Sequence, residues 1–200
     1  MDKTILVVDD NRGLVEYLQT ILELEGYIVH VAHSGKECLA YLEREKPGVI
    51  LLDIFMSPMN GWTVLEHIRK SPGTSKIRVI MLTAKQPTRE EAEKYSPLID
   101  GYIKKPFNIR DLLEDVHRVF EDQERMDGIV HTAYAKGAGW DFLEEYCRLS
   151  RIVKAQTAFR VLLESVSGQG GEVESTPEAI RLEIMNQIIQ QVSGLPGSVE

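Results

Sequence analysis

Five polar residues fall at or within two positions of the ends of short apolar runs. Asp9 and Asp10 close TILVVDD, Asp53 closes VILLD, Thr83 follows VIML, and Lys105 stands in YIKKPF. Carboxylates at the end of a buried strand are costly unless something positive meets them. Three such carboxylates repel one another, and a hard divalent cation is the simplest answer. Mg²⁺ takes oxygen ligands, keeps several waters and commonly combines carboxylates with a phosphate oxygen. Together with a lysine ammonium it would neutralise a phosphoryl group carried by Asp53, since aspartate is a nucleophile that can form an aspartyl phosphate. Lys105 is the better candidate than Lys104, because alternation along a strand sends the two in different directions. Catalysis at such a site is mostly positioning and charge neutralisation.

The elements that must hold these residues follow from the pattern. Apolar runs fall at Ile5–Val8, Tyr27–Val31, Val49–Leu52, Val79–Leu82 and Ile99–Ile103. The unbroken run Ile5–Val8 reads as a strand covered on both faces. Helical patterns lie between and after them, at Arg12–Glu25, Ser34–Lys46, Gly61–Lys70, Thr88–Tyr95 and Asn108–Met126. Ser34 with Glu37 and Thr88 with Glu91 form capping boxes at two helix starts. Strands alternating with helices predict an α/β fold, a doubly wound five-stranded parallel sheet with helices on both faces. Its ligand crevice lies off the carboxyl ends of the strands. Asp9, Asp10, Asp53 and Thr83 all fall at that edge.

The totals exclude several classes. A net charge of −8 over 200 residues is a poor basis for a broad nucleic-acid surface. No apolar run approaches the roughly 18 residues of a membrane span, and the four apolar residues before Asp9 are too few for a signal peptide. Cys38 and Cys147 form no CxxC pair and read as reduced core thiols of a cytoplasmic protein.

The motifs ILVVDD, VILLDIFMSPMNG, IRVIMLTA and DGYIKKPF, in this order and at these spacings, resemble the receiver domain of two-component response regulators. The resemblance covers residues 1 to about 122 and implies a flavodoxin-like receiver. It implies that Asp53 accepts a phosphoryl group from a partner histidine kinase. It implies Mg²⁺ held by Asp10 and Asp53, by Asp9 through water, and by the Phe55 carbonyl. Thr83 and Lys105 would contact the phosphoryl oxygens, and Tyr102 would be the aromatic that switches with Thr83. The chain would then be a phosphoacceptor signalling protein rather than an enzyme with an outside substrate. Two features depart from the family pattern. Ser57 stands where proline is usual, with Pro58 after it, and YSPLIDGY replaces the usual Gly-Ala before the last strand. Pro97 shortens the helix before it.

Residues 123–200 read as an all-α extension. Apolar residues recur at helical spacing at Leu149, Ile152, Phe159, Leu163 and Val166, then at Ile180, Ile184 and Ile188. Between them SGQGGEVES reads as a flexible linker near 167–175, Pro177 opens the last helix, and SGLPGSVE reads as a frayed tail. The segment 121–200 holds seven Lys and Arg against thirteen Asp and Glu, a net of −6. With no helix-turn-helix pattern, DNA binding is disfavoured, although a DNA-binding transcriptional regulator and a phosphorelay intermediate remain the alternatives. GQGGEVES resembles a cyclic-dinucleotide synthase signature but lacks its further acid and Phe. His131 with Lys136 resembles a histidine phosphotransfer motif, yet a five-residue step puts them about 140° apart on a helix. The apolar faces at 149–166 and 180–192 must bury somewhere, and a helical interaction module or a homodimer is the expected output.

Overall fold

The computed structural model describes residues 3–85, 88–167 and 176–194, with the side chains of 89, 92, 93, 158–167 and 193 left aside. The linker expected near 167–175 falls outside the described residues from 168 on, as does the tail after Gly194. Two compact units divide at Phe120 and Glu121.

In the first unit, β1 (Thr4–Val8), β2 (Ile28–Ala32), β3 (Val49–Asp53), β4 (Arg78–Thr83) and β5 (Gly101–Lys104) form one parallel sheet in the order β2-β1-β3-β4-β5. Successive side chains alternate between its faces. Ile5, Val7, Val49 and Leu51 pack on one side beneath α1 (Arg12–Leu24) and the start of α5 (Ile109–Ala135). Leu6, Val8, Ile50 and Leu52 pack on the other, beneath α2 (Gly35–Leu42) and α3 (Gly61–Lys70). Full burial of such a side chain contributes about 1.5–3 kcal/mol, so unbroken apolar runs are what a twice-covered strand requires.

Helix starts follow local chemistry. Asn11 caps α1 by accepting the Leu14 N–H, and Asn60 caps α3 through Thr63 N–H. Helix α4 (Arg89–Tyr95) carries the complete capping box, with Thr88 accepting from Glu91 N–H and Glu91 accepting from Thr88 N–H. At α2 the expected box is altered, because Glu37 reaches back to His33 N–H instead of Ser34. The expected helix through Lys46 also ends early, at Leu42; Pro47 disfavours helical backbone at Lys46. Helix α4 has only seven residues and passes into a single 3₁₀ turn, Ser96–Leu98, with Pro97 inside it. Asp100, in the segment that departs from the family pattern, is held by Arg69 at 3.3 Å, Arg78 at 2.6 Å and the Val79 N–H at 3.0 Å.

Every regular element described in the second unit is a helix. Helix α5 runs nine residues past the expected Met126, and Gly128 lies inside it. It ends at Gly137, whose φ of 97° favours glycine, with Ala138 N–H closing back onto Ala133 O. Helices α6 (Trp140–Ser167) and α7 (Pro177–Ser193) complete the unit. Met126, Ile129, Leu143, Tyr146, Leu149, Leu182, Met185 and Ile189 form its core. The buried Tyr146 hydroxyl donates to Asn186 Oδ1 at 2.8 Å, satisfying two groups that would otherwise be costly there.

One expectation is corrected here. The row Ile180, Ile184, Ile188 is not the face that α7 buries; Leu182, Met185 and Ile189 are. Helix α7 is apolar on two sides, and the i, i+3, i+7 row is the one that meets α6. Leu149 is buried as expected, whereas the side chains of Phe159, Leu163 and Val166 lie outside the described residues. No helix among the described residues is long and apolar enough to cross a membrane.

Candidate functional site

The carboxyl edge of the sheet gathers the residues that the sequence singles out. Asp9 follows β1, Asp53 ends β3, Thr83 ends β4 and Lys105 follows β5. Asp9, Asp10 and Asp53 can each bring one carboxylate oxygen within 4.8 Å of the others. Asp9 and Asp53 are buried, while Asp10 is exposed. Lys105 bridges the two buried acids, its ammonium donating to Asp9 Oδ2 at 2.5 Å and to Asp53 Oδ1 at 2.6 Å.

Each acid is also fixed by the backbone. Asp9 Oδ1 accepts the Asn11 N–H at 2.9 Å, and the Asp53 carboxylate accepts the N–H of Phe55. Burial nevertheless pushes the Asp53 carboxyl above its ordinary value, and the nearby Asp9 adds to this; Lys105 and the Phe55 N–H act in the opposite direction without cancelling it. Removing Lys105 would leave two buried carboxylates facing each other. Lys105→Met is therefore expected to cost about 3–5 kcal/mol in chelator. Added Mg²⁺ should stabilise the variant more than the parent, because a cation that binds only the folded state raises stability by mass action. Melting curves with and without Mg²⁺ check this; equal melting of variant and parent in chelator would contradict it.

Thr83 and Tyr102 are near the site but point elsewhere in this structure. The fully buried Thr83 hydroxyl donates to Lys85 O at 2.7 Å, and the Tyr102 hydroxyl donates to the same carbonyl at 2.9 Å. Burial pushes the Tyr102 phenol up to about 12, with the neighbouring Thr83 hydroxyl acting in the opposite direction. The Phe55 ring is half exposed, with the Lys85 ammonium 5.4 Å from its centroid.

Sequence reasoning missed three contributors. Lys85 acts through a backbone carbonyl, which leaves no residue-type signal. Asn11 acts through its backbone N–H to Asp9 Oδ1, which likewise leaves no residue-type signal. Gly61 presses against the phosphoacceptor strand: a Cβ there would lie 2.2 Å from Asp53 O and 2.9 Å from Ile54 Cα, and its N–H donates to Ile54 O at 2.9 Å. Beside it, the Trp62 indole stacks on Tyr95 at 4.2 Å with 4° between ring planes, and its Nε1–H donates to Glu91 Oε1 at 3.2 Å. His131 is exposed within α5.

The donor set suits a hard divalent ion: three carboxylates on one edge, one of them open to solvent for coordinated waters. The geometry agrees with known proteins. The family model "Response regulator receiver domain" matches residues 5–117. Response regulator MprA of Mycobacterium ulcerans is 31% identical over 66% of this chain and 58% of its own length. The alkaline phosphatase synthesis transcriptional regulatory protein PhoP of Bacillus subtilis is 37% identical over 62% of this chain and 51% of its own. The chain thus spans little more than half the length of these two relatives. Among solved structures, a CheY-like receiver domain protein from Methanospirillum hungatei is 36% identical, covering 62% of this chain and 98% of its own, with a TM-score of 0.57. TrrA from Thermotoga maritima, solved in complex with Mg(2+)-BeF, is 33% identical over 58% of this chain and 97% of its own, with a TM-score of 0.52. With its five-stranded parallel sheet, its acidic edge and a family match across more than half its length, the chain belongs to the response regulator receiver family.

Proposed function

We propose that the first unit is a phosphoacceptor switch in which Asp53 takes a phosphoryl group from a partner histidine kinase in the cytoplasm. The observation that carries this reading is the Lys105 ammonium set between two buried carboxylates, beside a third, at the carboxyl edge of the sheet. An Asp53 carboxylate oxygen attacks phosphorus, the O–P bond forms, the N–P bond of the phosphohistidine breaks, and the imidazole leaves with a proton. Lys105 holds charge on the phosphoryl oxygens, and the Phe55 N–H keeps the carboxylate aimed. Asp10 and Asp53 would hold Mg²⁺ directly, Asp9 through water, with the Phe55 carbonyl as a further ligand. Bound Mg²⁺ supplies the positive charge that lets an anionic acceptor meet an anionic phosphoryl group.

The switch follows from hydrogen-bond exchange. A phosphoryl group adds about −1.5 to −2 charges and three acceptor oxygens. The Thr83 hydroxyl then leaves Lys85 O for one of them, and Tyr102 follows into the vacated space. A nearly complete switch needs the group to favour one state by about 5.5 kcal/mol. Charge-assisted hydrogen bonds supply a large part of that. The test is incubation with acetyl phosphate. Uptake of one phosphoryl group that requires Mg²⁺ and is released by hydroxylamine supports an acyl phosphate on this chain; label that is hydroxylamine-stable or indifferent to chelator contradicts it.

A second reading is favoured by one observation: relatives such as PhoP are named transcriptional regulators. Those names weigh against setting DNA aside on composition alone, even though residues 121–200 carry a net charge of −6. An electrophoretic shift at low salt, with and without acetyl phosphate, separates a DNA-binding output from a helical protein-interaction output.

A further inference from the structure

Helix α3 turns one stripe of side chains toward the segment that follows β4. Trp62, Glu66 and Arg69 stand at i, i+4 and i+7, on a single helical face. The Trp62 indole stacks on Tyr95 and donates to Glu91 Oε1. Glu66 Oε1 accepts from the Lys94 ammonium at 2.9 Å and from the Tyr95 hydroxyl at 3.1 Å. Arg69 donates through Nε to Leu98 O at 2.7 Å and through Nη2 to Asp100 Oδ2 at 3.3 Å. The stripe therefore holds α4, the 3₁₀ turn and the residue before β5, in chain order. Tyr95 and Ile99 are buried in the core layer that α3 covers, not in the layer beneath α5.

Burial decides which of these contacts grip. Lys94 is exposed, and its ion pair with Glu66 is screened by water. Trp62 and Tyr95 are only 7% and 9% exposed, so their stack is a packed contact. Glu91 works at both oxygens: Oε2 caps α4 through the Thr88 N–H, while Oε1 takes the indole N–H. The start of α4 cannot leave α3 without giving up that indole bond. At the opposite end of the stripe, Gly61 directly precedes Trp62 and leaves no room between α3 and the Asp53 backbone. A close-packed contact of low compressibility passes a displacement on.

We propose that α3 is a second link from Asp53 to α4, alongside the Thr83–Tyr102 exchange, with Trp62 and Tyr95 as its positioning residues. A displacement of the Asp53 backbone moves Gly61, α3 carries it, and the Trp62–Tyr95 stack delivers it to α4. The use of this link in signalling rests on phosphorylation at Asp53, whereas the mechanical coupling does not.

Hydrogen–deuterium exchange of the α4 amides in the full chain tests the link in two arms. Without a phosphodonor, Gly61→Ala pushes on α3 and should speed exchange in α4 by about threefold or more, with the α1 amides as the control for global opening. In a Trp62→Phe/Tyr95→Leu background α4 exchanges faster from the start. There Gly61→Ala should add nothing to α4, whereas independent sites would multiply their effects. In the second arm, acetyl phosphate and Mg²⁺ are added to Thr83→Ala and the label per chain is counted. Exchange in α4 should still change on labelling, and the change should vanish once Trp62→Phe/Tyr95→Leu is added. Coupling in the first arm supports the link even in a chain that takes up no label, a result that counts against the Asp53 reading alone. Effects that multiply in the first arm overturn the proposal. So does a labelled Thr83→Ala chain whose α4 response is absent or survives loss of the stack.

Discussion

Asp53→Asn will take up no label from acetyl phosphate and, in chelator at neutral pH, will melt at a higher temperature than the parent. Both effects come from one carboxylate. Labelling fails because the amide oxygen is a poor nucleophile for phosphorus. The gain in stability follows from the direction of the Asp53 shift, which burial sets upward. A folded-state pKa above the unfolded one means that this group's contribution is fully present below the unfolded value. The contribution is lost as pH rises through the folded value. At pH 7 the ionised Asp53 is therefore a net cost, and a neutral amide of the same shape removes it. Gains at sites held for activity are commonly about 0.5–2 kcal/mol. The gain should shrink as the pH falls through the raised folded-state value, where the parent's own carboxyl becomes protonated. Thermal melts across pH 4–8 check the sign; a variant that melts lower at pH 7 would show that Lys105 overcompensates burial.

The second large effect concerns a residue with no side chain. Gly61→Ala will cost about 1–3 kcal/mol of stability, because its Cβ meets the rigid backbone at Asp53 and Ile54 rather than a side chain that can turn away. The nearest atom is the Asp53 carbonyl oxygen, so relief of the clash displaces the phosphoacceptor itself. A misplacement of about 1 Å can lower a rate by about 10²-fold, and the initial labelling rate should fall by more than tenfold. Gly128→Ala is the contrast: nothing lies within 4 Å of its Cβ position inside α5, and alanine there should gain up to about 1 kcal/mol. Urea titrations with labelling time courses read both. Equal behaviour of the two variants would remove Gly61 from the site's architecture.

The receiver half was legible because its signals are strong and redundant. Apolar runs such as Ile5–Val8 admit only a twice-covered strand, and the acids that end them mark the crevice. Asp9, Asp53 and Lys105 meet as their spacing required. Thr83 and Tyr102 were placed correctly in the fold, but their shared acceptor, the carbonyl of Lys85, carries no sequence signature. Gly61 was visible only as a helix start, since close approach is a property of two backbones. In the second unit the isoleucines of α7 misled for a physical reason. When a helix is apolar on two sides, periodicity identifies both rows and does not rank them. Leu182, Met185 and Ile189 are inside because α6 lies there, which α7's own pattern does not contain.

The parallel stack of Trp62 on Tyr95 has an optical consequence. Two aromatic transitions this close and this nearly coplanar couple in the near ultraviolet. Emission from Trp62, which follows the glycine pressed against Asp53, is then sensitive to the spacing between α3 and α4. The chain's other tryptophan, Trp140, is in the second unit and half exposed, so Trp140→Phe leaves Trp62 as the single tryptophan reporter. The protein thus carries its own fluorophore for following the site without any added label.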